Sequence, residues 1–123
     1  MDQEAMNDLA RYVNLQDAMY RLRGNEKIYQ ILLTSFMDSP YMDELLADIE
    51  RNDLDTAAKT AHKIKGVTAN LSLDEVYALV VLLELQLKSG SEYQGTLEKL
   101  GSAMQKTTEY IKAMLNDWPV INN

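Results

Sequence analysis

The sequence has no cysteine and only one histidine, His62, among its 123 residues. Without cysteine there can be no disulfide, no thiol nucleophile and no thiolate metal site. The usual zinc sites are also excluded, because they draw most of their ligands from cysteine and histidine. Any chemistry of this chain must therefore use carboxylates, hydroxyls, lysines or that single histidine.

Basic residues and long hydrophobic runs are also scarce. There are 12 Lys+Arg against 19 Asp+Glu, for a net charge of −7, and a general nucleic-acid binder needs the opposite excess. The longest apolar run, Tyr77 to Leu83, is far shorter than the roughly 20 residues that cross a bilayer. The first ten residues carry acids and no secretion signal. We therefore predict a cytoplasmic protein, or an intracellular domain of something larger, without nucleic-acid binding or membrane insertion.

The motifs of several enzyme classes are missing as well. The five glycines form neither a GxGxxG nor a P-loop pattern, and no serine lies in a Gly-x-Ser-x-Gly turn. A di-iron bundle needs Glu-x-x-His twice, but the residue three before His62 is Lys59. The missing motifs argue against ATP hydrolysis, a dinucleotide cofactor and transition-metal chemistry on this chain.

The chain predicts helices throughout, since it has only two prolines, Pro40 and Pro119, and no strand-like alternation. Two short N-terminal helices are expected, followed by longer ones. The expected ranges are 3–12, 15–22, 25–37, 40–51, 54–71, 73–89 and about 92–117. These ranges predict an all-α fold, an antiparallel four-helix bundle with one or two short extra N-terminal helices, forming one domain over residues 1–123.

Polar residues mark where several of these helices should begin. Asn25 and Asp53 are suited to N-caps, and Ser39 should cap a helix whose first residue is Pro40. Ser72, with Glu75 three residues later, forms the pattern of a capping box. After Asn25, apolar residues repeat at helical spacing at positions 28, 31, 32 and 36. The last helix should end at Trp118 and Pro119.

The helix over residues 54–71 contains the histidine. On a helical wheel, Ala57, Ala61 and Ile64 belong to the stripe that faces the core, and His62 lies roughly 115° from its centre. His62 should therefore lie at the shoulder or outside of the bundle. The bland interpretation is a solvated surface histidine, which is the commoner case for a histidine on an exposed face.

The neighbours of His62 favour a more specific interpretation. Ala58, Gly66 and Ala69 are small residues on its face, and a glycine in mid-helix costs about 1 kcal/mol relative to alanine. Gly66 could admit a partner's backbone, or it could only permit close packing between helices. Lys59 and Lys65 share this face, and Lys63 lies nearby, so the patch is locally basic in an acidic chain. Such lysines could instead be merely solubilising.

This combination suits phosphoryl transfer through nitrogen. A neutral imidazole offers one ring nitrogen as a nucleophile, and Lys65 could stabilise the oxygens of a phosphoryl group. Glu84, about 65° from the core stripe of the next helix, could accept a hydrogen bond from the other ring nitrogen. It could equally be an exposed glutamate at the shoulder of the bundle.

The helix that contains Glu84 is apolar on nearly every side. Ala78, Val81, Leu82 and Leu85 all lie off its core stripe. Two explanations are open: the short N-terminal helices cover these residues, or they form a docking surface for another protein. The two explanations can apply to different parts of the helix.

The segment Ala61-His62-Lys63-Ile64-Lys65-Gly66, followed by Val67-Thr68-Ala69-Asn70-Leu71, resembles the signature of histidine-containing phosphotransfer (HPt) domains. The resemblance covers about residues 12–90, and the final helix fits only as a generic bundle member. It implies that His62 is the phosphorylated residue, Lys65 its positive neighbour and Gly66 the opening for a receiver domain. Ser72 stands where the family usually has glycine, and we expect its capping box to preserve the helix start.

By this resemblance, the chain is expected to be a phosphorelay intermediate that takes a phosphoryl group from a receiver-domain aspartate and passes it to another receiver. Its partners would be response-regulator receiver domains and a sensor histidine kinase, with magnesium on the partner and a monomeric state. Docking residues would be Gly66, Ala58, Lys59, Ala69 and Lys63. Two alternatives are the phosphoacceptor module of a larger hybrid or chemotaxis-type kinase, and a helical interaction domain that is not phosphorylated.

Overall fold

Seven helices account for most of the chain in the computed structural model, which describes residues 2–118. No strand occurs in that range, so the prediction of an all-α fold is confirmed. The helices are α1 (Gln3–Tyr12), α2 (Leu15–Arg21), α3 (Glu26–Met37), α4 (Tyr41–Glu50), α5 (Leu54–Asn70), α6 (Asp74–Ser89) and α7 (Gln94–Asn116).

Capping hydrogen bonds confirm two of the predicted helix starts. The Asn25 side chain accepts from the backbone N–H of Ile28 at 3.1 Å, and Asp53 accepts from that of Thr56 at 3.2 Å. Each bond satisfies one of the backbone donors that a helix leaves free in its first turn. Asp53 in this way fixes the start of α5, the helix that contains His62.

Two other predicted boundaries were wrong by one to three residues. Ser39 does not cap α4, because its hydroxyl donates to the carbonyl of Phe36 at 2.6 Å and so closes the end of α3. Pro40 takes the N-cap position, and α4 begins at Tyr41. Ser91 returns its backbone N–H to the carbonyl of Gln86 and belongs to the end of α6, so α7 begins only at Gln94. The α7 helix ends at Asn116, and Pro119 lies outside the described residues.

The predicted capping box at Ser72 was also wrong. Leu73 is the N-cap of α6 and makes no side-chain capping bond. The short connection between α5 and α6 places Ser72 in the left-handed region, with φ of 56°, and its hydroxyl donates to Asp17 of α2 at 2.6 Å. Glu75 instead pairs with Arg11. The left-handed backbone gives a physical reason for glycine at the matching position of HPt domains, since only glycine adopts it without strain.

Replacing Ser72 separates backbone strain from the hydroxyl's hydrogen bond. Ser72→Ala should destabilise the domain, because the bond to Asp17 is lost while the left-handed backbone remains. Ser72→Gly loses the same bond but removes the Cβ penalty, so we expect it to be roughly 1 kcal/mol more stable than the alanine variant. Urea unfolding of both variants measures the difference. An alanine variant as stable as the glycine variant would contradict the strain at this position.

The bundle is built around the antiparallel pairs that α5 makes with its neighbours. In α4, Glu44 reaches Lys63 and Asp48 accepts from Thr60 at 2.9 Å. Further along, the Tyr29 hydroxyl of α3 donates to the carbonyl of Leu71 at 2.7 Å. Because α3 and α4 contact successive parts of α5, they act together as one member of the bundle, beside α5, α6 and α7.

The core stripe of α3 differs from the periodic residues identified in the sequence. Tyr29, Leu33 and Phe36 are buried, whereas Ile28 and Ile31 are 44% and 59% exposed. Leu32 is also exposed at 39%. Both sets recur at helical spacing, and the helix is rotated so that the larger aromatic residues pack inside.

Of the four apolar residues off the core stripe of α6, Ala78, Leu82 and Leu85 are exposed and Val81 is half-buried. Helix α1 lies against one side of α6, where Arg11 bonds to Glu75 at 3.0 Å. On the remaining surface Leu82 and Leu85 are 45% and 60% exposed. The N-terminal helices therefore cover only part of this face.

Candidate functional site

His62 lies on the exposed face of α5. Its side chain is 66% exposed, while its neighbours Ala61 and Ile64 are completely buried. This arrangement follows from the helical period, since residues three and four apart share a face and adjacent residues do not. The imidazole is consequently accessible to another protein while its backbone is held by the core.

Glu84 of α6 lies directly beside the imidazole. Its Oε2 atom is 3.1 Å from Nδ1 of His62, although Glu84 itself is only 3% exposed. The carboxylate accepts a hydrogen bond from Nδ1 when that nitrogen carries the proton. Nε2 is then the unprotonated nitrogen of the neutral ring, and its lone pair is available for reaction.

Two lysines share this carboxylate with the histidine. Lys65 places Nζ 2.7 Å from Oε1, and Lys88 places Nζ 2.8 Å from Oε2. Burial alone raises the pKa of Glu84, but the hydrogen bonds from Lys65, Lys88 and His62 outweigh it and lower the pKa to about 2. Glu84 is therefore an anion at neutral pH.

The lowered pKa of Glu84 predicts how its contribution to stability depends on pH. An acid whose pKa falls from 4.5 to about 2 on folding stabilises the folded state above pH 4.5. That contribution is lost as the pH falls towards 2. The difference in unfolding free energy between the wild type and Glu84→Gln should therefore shrink over this interval. Denaturant unfolding at a series of pH values measures it, and a difference independent of pH would contradict the charged network.

The other residues predicted for the site lie at different depths. Ala58 is buried at 4% exposure, Lys59 is exposed and Ala69 is half-buried. Lys63 extends towards α4, where its Nζ is 3.6 Å from Glu44. The predicted lysine cluster is therefore divided, with Lys63 on the side of α5 that faces α4.

Gly66 is exposed, and the space next to it is open. A Cβ atom built at this position would meet no atom within 4 Å outside its own helix. Packing inside the domain therefore gives no reason for glycine here. Of the two explanations offered by the sequence, room for a partner is the one compatible with this surface.

Sequence reasoning missed two charged residues beside His62. A cleft of about 510 Å³ adjoins the imidazole, and its lining includes Lys88 and Asp55 together with Ala58, Lys59, His62 and Glu84. Lys88 could have been found from its position four residues after Glu84, which is the spacing of a helical ion pair. Asp55 precedes His62 by seven residues, or two helical turns, and so shares its face.

No helix between residues 2 and 118 is long and apolar enough to cross a membrane. Within the same residues, no group of three or more histidine, aspartate or glutamate side chains could hold a metal ion.

A comparison with models of protein families identifies the family of this chain. A family model described as the Hpt domain matches residues 28–117, well over half of the chain. The chain belongs to the Hpt domain family. The match to this Hpt domain extends through α7 but begins only at residue 28, so the range of about 12–90 expected from the resemblance was wrong at both ends. No curated protein and no solved structure matches the chain.

Membership of this family gives the general role of the chain. Hpt domains carry out histidine phosphotransfer in two-component signalling, together with receiver domains and kinases. They are phosphoryl carriers and not enzymes with an ATP site of their own. The geometry around His62 bears on how this Hpt domain would perform that transfer.

Proposed function

We propose that this Hpt domain is a phosphorelay intermediate, which receives a phosphoryl group on His62 from a receiver-domain aspartate and passes it to a second receiver. The strongest support is that Nδ1 of His62 contacts the buried Glu84, while the rest of the imidazole is exposed. It leaves Nε2 as the reactive nitrogen. Magnesium would be held by the receiver, and the cytoplasmic location and monomeric state remain predictions.

The transfer step forms one bond to phosphorus on this domain and breaks another on the receiver. The lone pair of Nε2 attacks the phosphorus of the aspartyl phosphate, an N–P bond forms, and the P–O bond to the aspartate breaks. The electron pair of that bond stays with the aspartate carboxylate. The ring keeps its Nδ1 proton and gains positive charge, which Glu84 stabilises at 3.1 Å. The reverse reaction delivers the group to the second receiver.

The lysines around His62 supply charge for the group being moved. Lys65 bonds to Glu84 beside the ring, and Lys59 lines the same cleft. A phosphoryl group in transfer carries negative charge on its equatorial oxygens, and nearby cations stabilise it. A receiver site that holds magnesium with carboxylates would also be attracted by this basic patch.

Partner docking is assigned to the surface beside His62. Gly66 and Ala69 follow it on its face, Lys59 precedes it, and Lys63 borders it on the side of α4. Ala58, predicted for this surface, is buried beneath it. Small residues let another backbone approach closely, so the receiver would bring its aspartate to Nε2 across Gly66.

A larger side chain at position 66 should obstruct this approach. Gly66→Gln should keep the helical content of the domain, since glutamine is a good helix former and the space is open. The transfer rate from a phosphorylated receiver should fall about tenfold or more, because the side chain lies where the receiver must pass. Rapid-quench measurement gives the rate, and circular dichroism checks the fold. Gly66→Ala is the matched control, with a smaller side chain, and equal transfer by all three proteins would reject the docking assignment.

The proposed function is tested with a phosphorylated receiver domain and magnesium. We expect label on the Hpt domain that is labile in acid and stable in base, as phosphohistidine is, and a second receiver should remove it. Heteronuclear NMR of the labelled domain should place phosphorus on Nε2 and the proton on Nδ1. The absence of label with every receiver encoded in the same genome would refute the relay.

The exposed Leu82 and Leu85 favour one other candidate function, a helical interaction domain that is not phosphorylated. In that case a receiver or another protein would bind without transfer. A stable complex, detected by calorimetry, with no label on His62 would support this candidate.

A further inference from the structure

The carboxylate of Glu84 has more cations than it needs for charge compensation. Its two oxygens accept from three groups: Oε1 from Lys65, and Oε2 from both Lys88 and His62. One lysine would be enough to balance a single negative charge. The second lysine, Lys88, belongs to no part of the HPt signature and is 60% exposed.

The two lysines bond to different oxygens of Glu84. Lys65 comes from α5 and bonds to the oxygen that the histidine does not use. Lys88 comes from α6, four residues after Glu84, and shares Oε2 with Nδ1 of His62. Removal of Lys65 from Oε1 would therefore leave the bonds at Oε2 intact.

The role proposed for Lys65 requires its ammonium to move, because it is bonded to Glu84. If Lys65 stabilises the phosphoryl group, its ammonium must turn from Oε1 towards Nε2. A buried carboxylate that loses its only cationic partner is strongly destabilised, and Glu84 is 3% exposed. With a single lysine, this movement would leave Glu84 without a cationic partner while the imidazole is still neutral.

We propose that Lys88 is a positioning residue for phosphotransfer: it keeps Glu84 charged and bonded to Nδ1 of His62 while Lys65 turns to the phosphoryl group. This inference rests on the proposed function and adds a residue and a division of roles to it. Because Lys88 and Glu84 lie on one helix at a spacing of four, their pair is independent of any shift between α5 and α6.

The test compares two double variants with the same loss of charge. Lys65→Gln/Lys88→Gln removes both cations from Glu84, whereas Lys65→Gln/Lys59→Gln removes one of them and a lysine of the same cleft that makes no bond to Glu84. We expect the first to transfer about tenfold more slowly than the second, because only the first leaves Glu84 without a lysine. Lys65→Gln/Lys88→Arg should behave like Lys65→Gln alone.

A spectroscopic readout separates positioning from a general effect on folding. Nitrogen-15 NMR of His62 in the unphosphorylated domain reports which ring nitrogen carries the proton. The Nδ1–H tautomer should dominate in the wild type and in Lys65→Gln/Lys59→Gln, and lose population in Lys65→Gln/Lys88→Gln. Equal loss of transfer or of tautomer in both double variants would overturn the inference.

Failure of the relay itself would be visible separately. If the wild type takes no label from any receiver, the proposed function is refuted, but the tautomer still reports on Lys88. A tautomer unchanged in Lys65→Gln/Lys88→Gln would then reject the role of Lys88 on its own evidence.

Discussion

Replacing His62 with glutamine should abolish phosphoryl acceptance completely. Glutamine is similar in length and can still donate a hydrogen bond towards Glu84, which lies 3.1 Å from the imidazole in the wild type. It has no nucleophilic ring nitrogen, so no N–P bond can form. Because His62 is the only histidine of the chain, no other imidazole can take its place.

This experiment gives a clear answer because the fold should be unaffected. The His62 side chain is 66% exposed and contributes nothing to the core, so the variant should unfold at nearly the same urea concentration. Incubation with a phosphorylated receiver, followed by acid and base treatment, measures the label. Base-stable label on the glutamine variant would show that another residue accepts the group and would remove His62 from the mechanism.

Replacing Glu84 with glutamine should slow the transfer about 10- to 100-fold, the size of loss seen when a carboxylate that orients a metal-binding histidine is removed. The amide keeps the size of the carboxylate but not its charge, and so cannot stabilise the positive charge that the ring gains. It also leaves Lys65 and Lys88 without their common anion. His62 should then populate both tautomers, which reduces the fraction with a free Nε2.

The matched control for this substitution lies on the same helix. Glu75→Gln removes a carboxylate of α6 that pairs with Arg11 at 3.0 Å and has no bond to His62. It should leave the transfer rate unchanged. Rapid-quench kinetics on both variants measures the rates. If Glu84→Gln were as active as Glu75→Gln, Glu84 would have no part in the reaction.

Properties that depend on local geometry could be predicted from the sequence. The exposure of His62 follows from the period of one helix, and the caps Asn25 and Asp53 act within three residues of themselves. The same reasoning could not decide between a contact and an exposed position for Glu84. Its burial depends on how α6 is rotated against α5, which is a property of two helices packed together.

The incorrect predictions for Ser72 and for the core stripe of α3 also involve contacts between different helices. Ser72 matches the capping-box pattern, but its hydroxyl bonds to Asp17, a residue 55 positions earlier. In α3, periodicity allows a core stripe through either Ile28 or Tyr29, and the bond from the Tyr29 hydroxyl to the carbonyl of Leu71 belongs to the second choice. Which alternative forms depends on contacts with residues distant in sequence, and a local sequence pattern holds no information about those contacts.

The break between α3 and α4 divides one member of the bundle into two parts that can change independently. Helix α4 supports the half of α5 that precedes and includes the histidine, through Asp48 and Thr60, while α3 reaches its far end at Leu71. Polar substitutions at the exposed Ile28 and Ile31 of α3 should therefore improve solubility without moving the residues around His62.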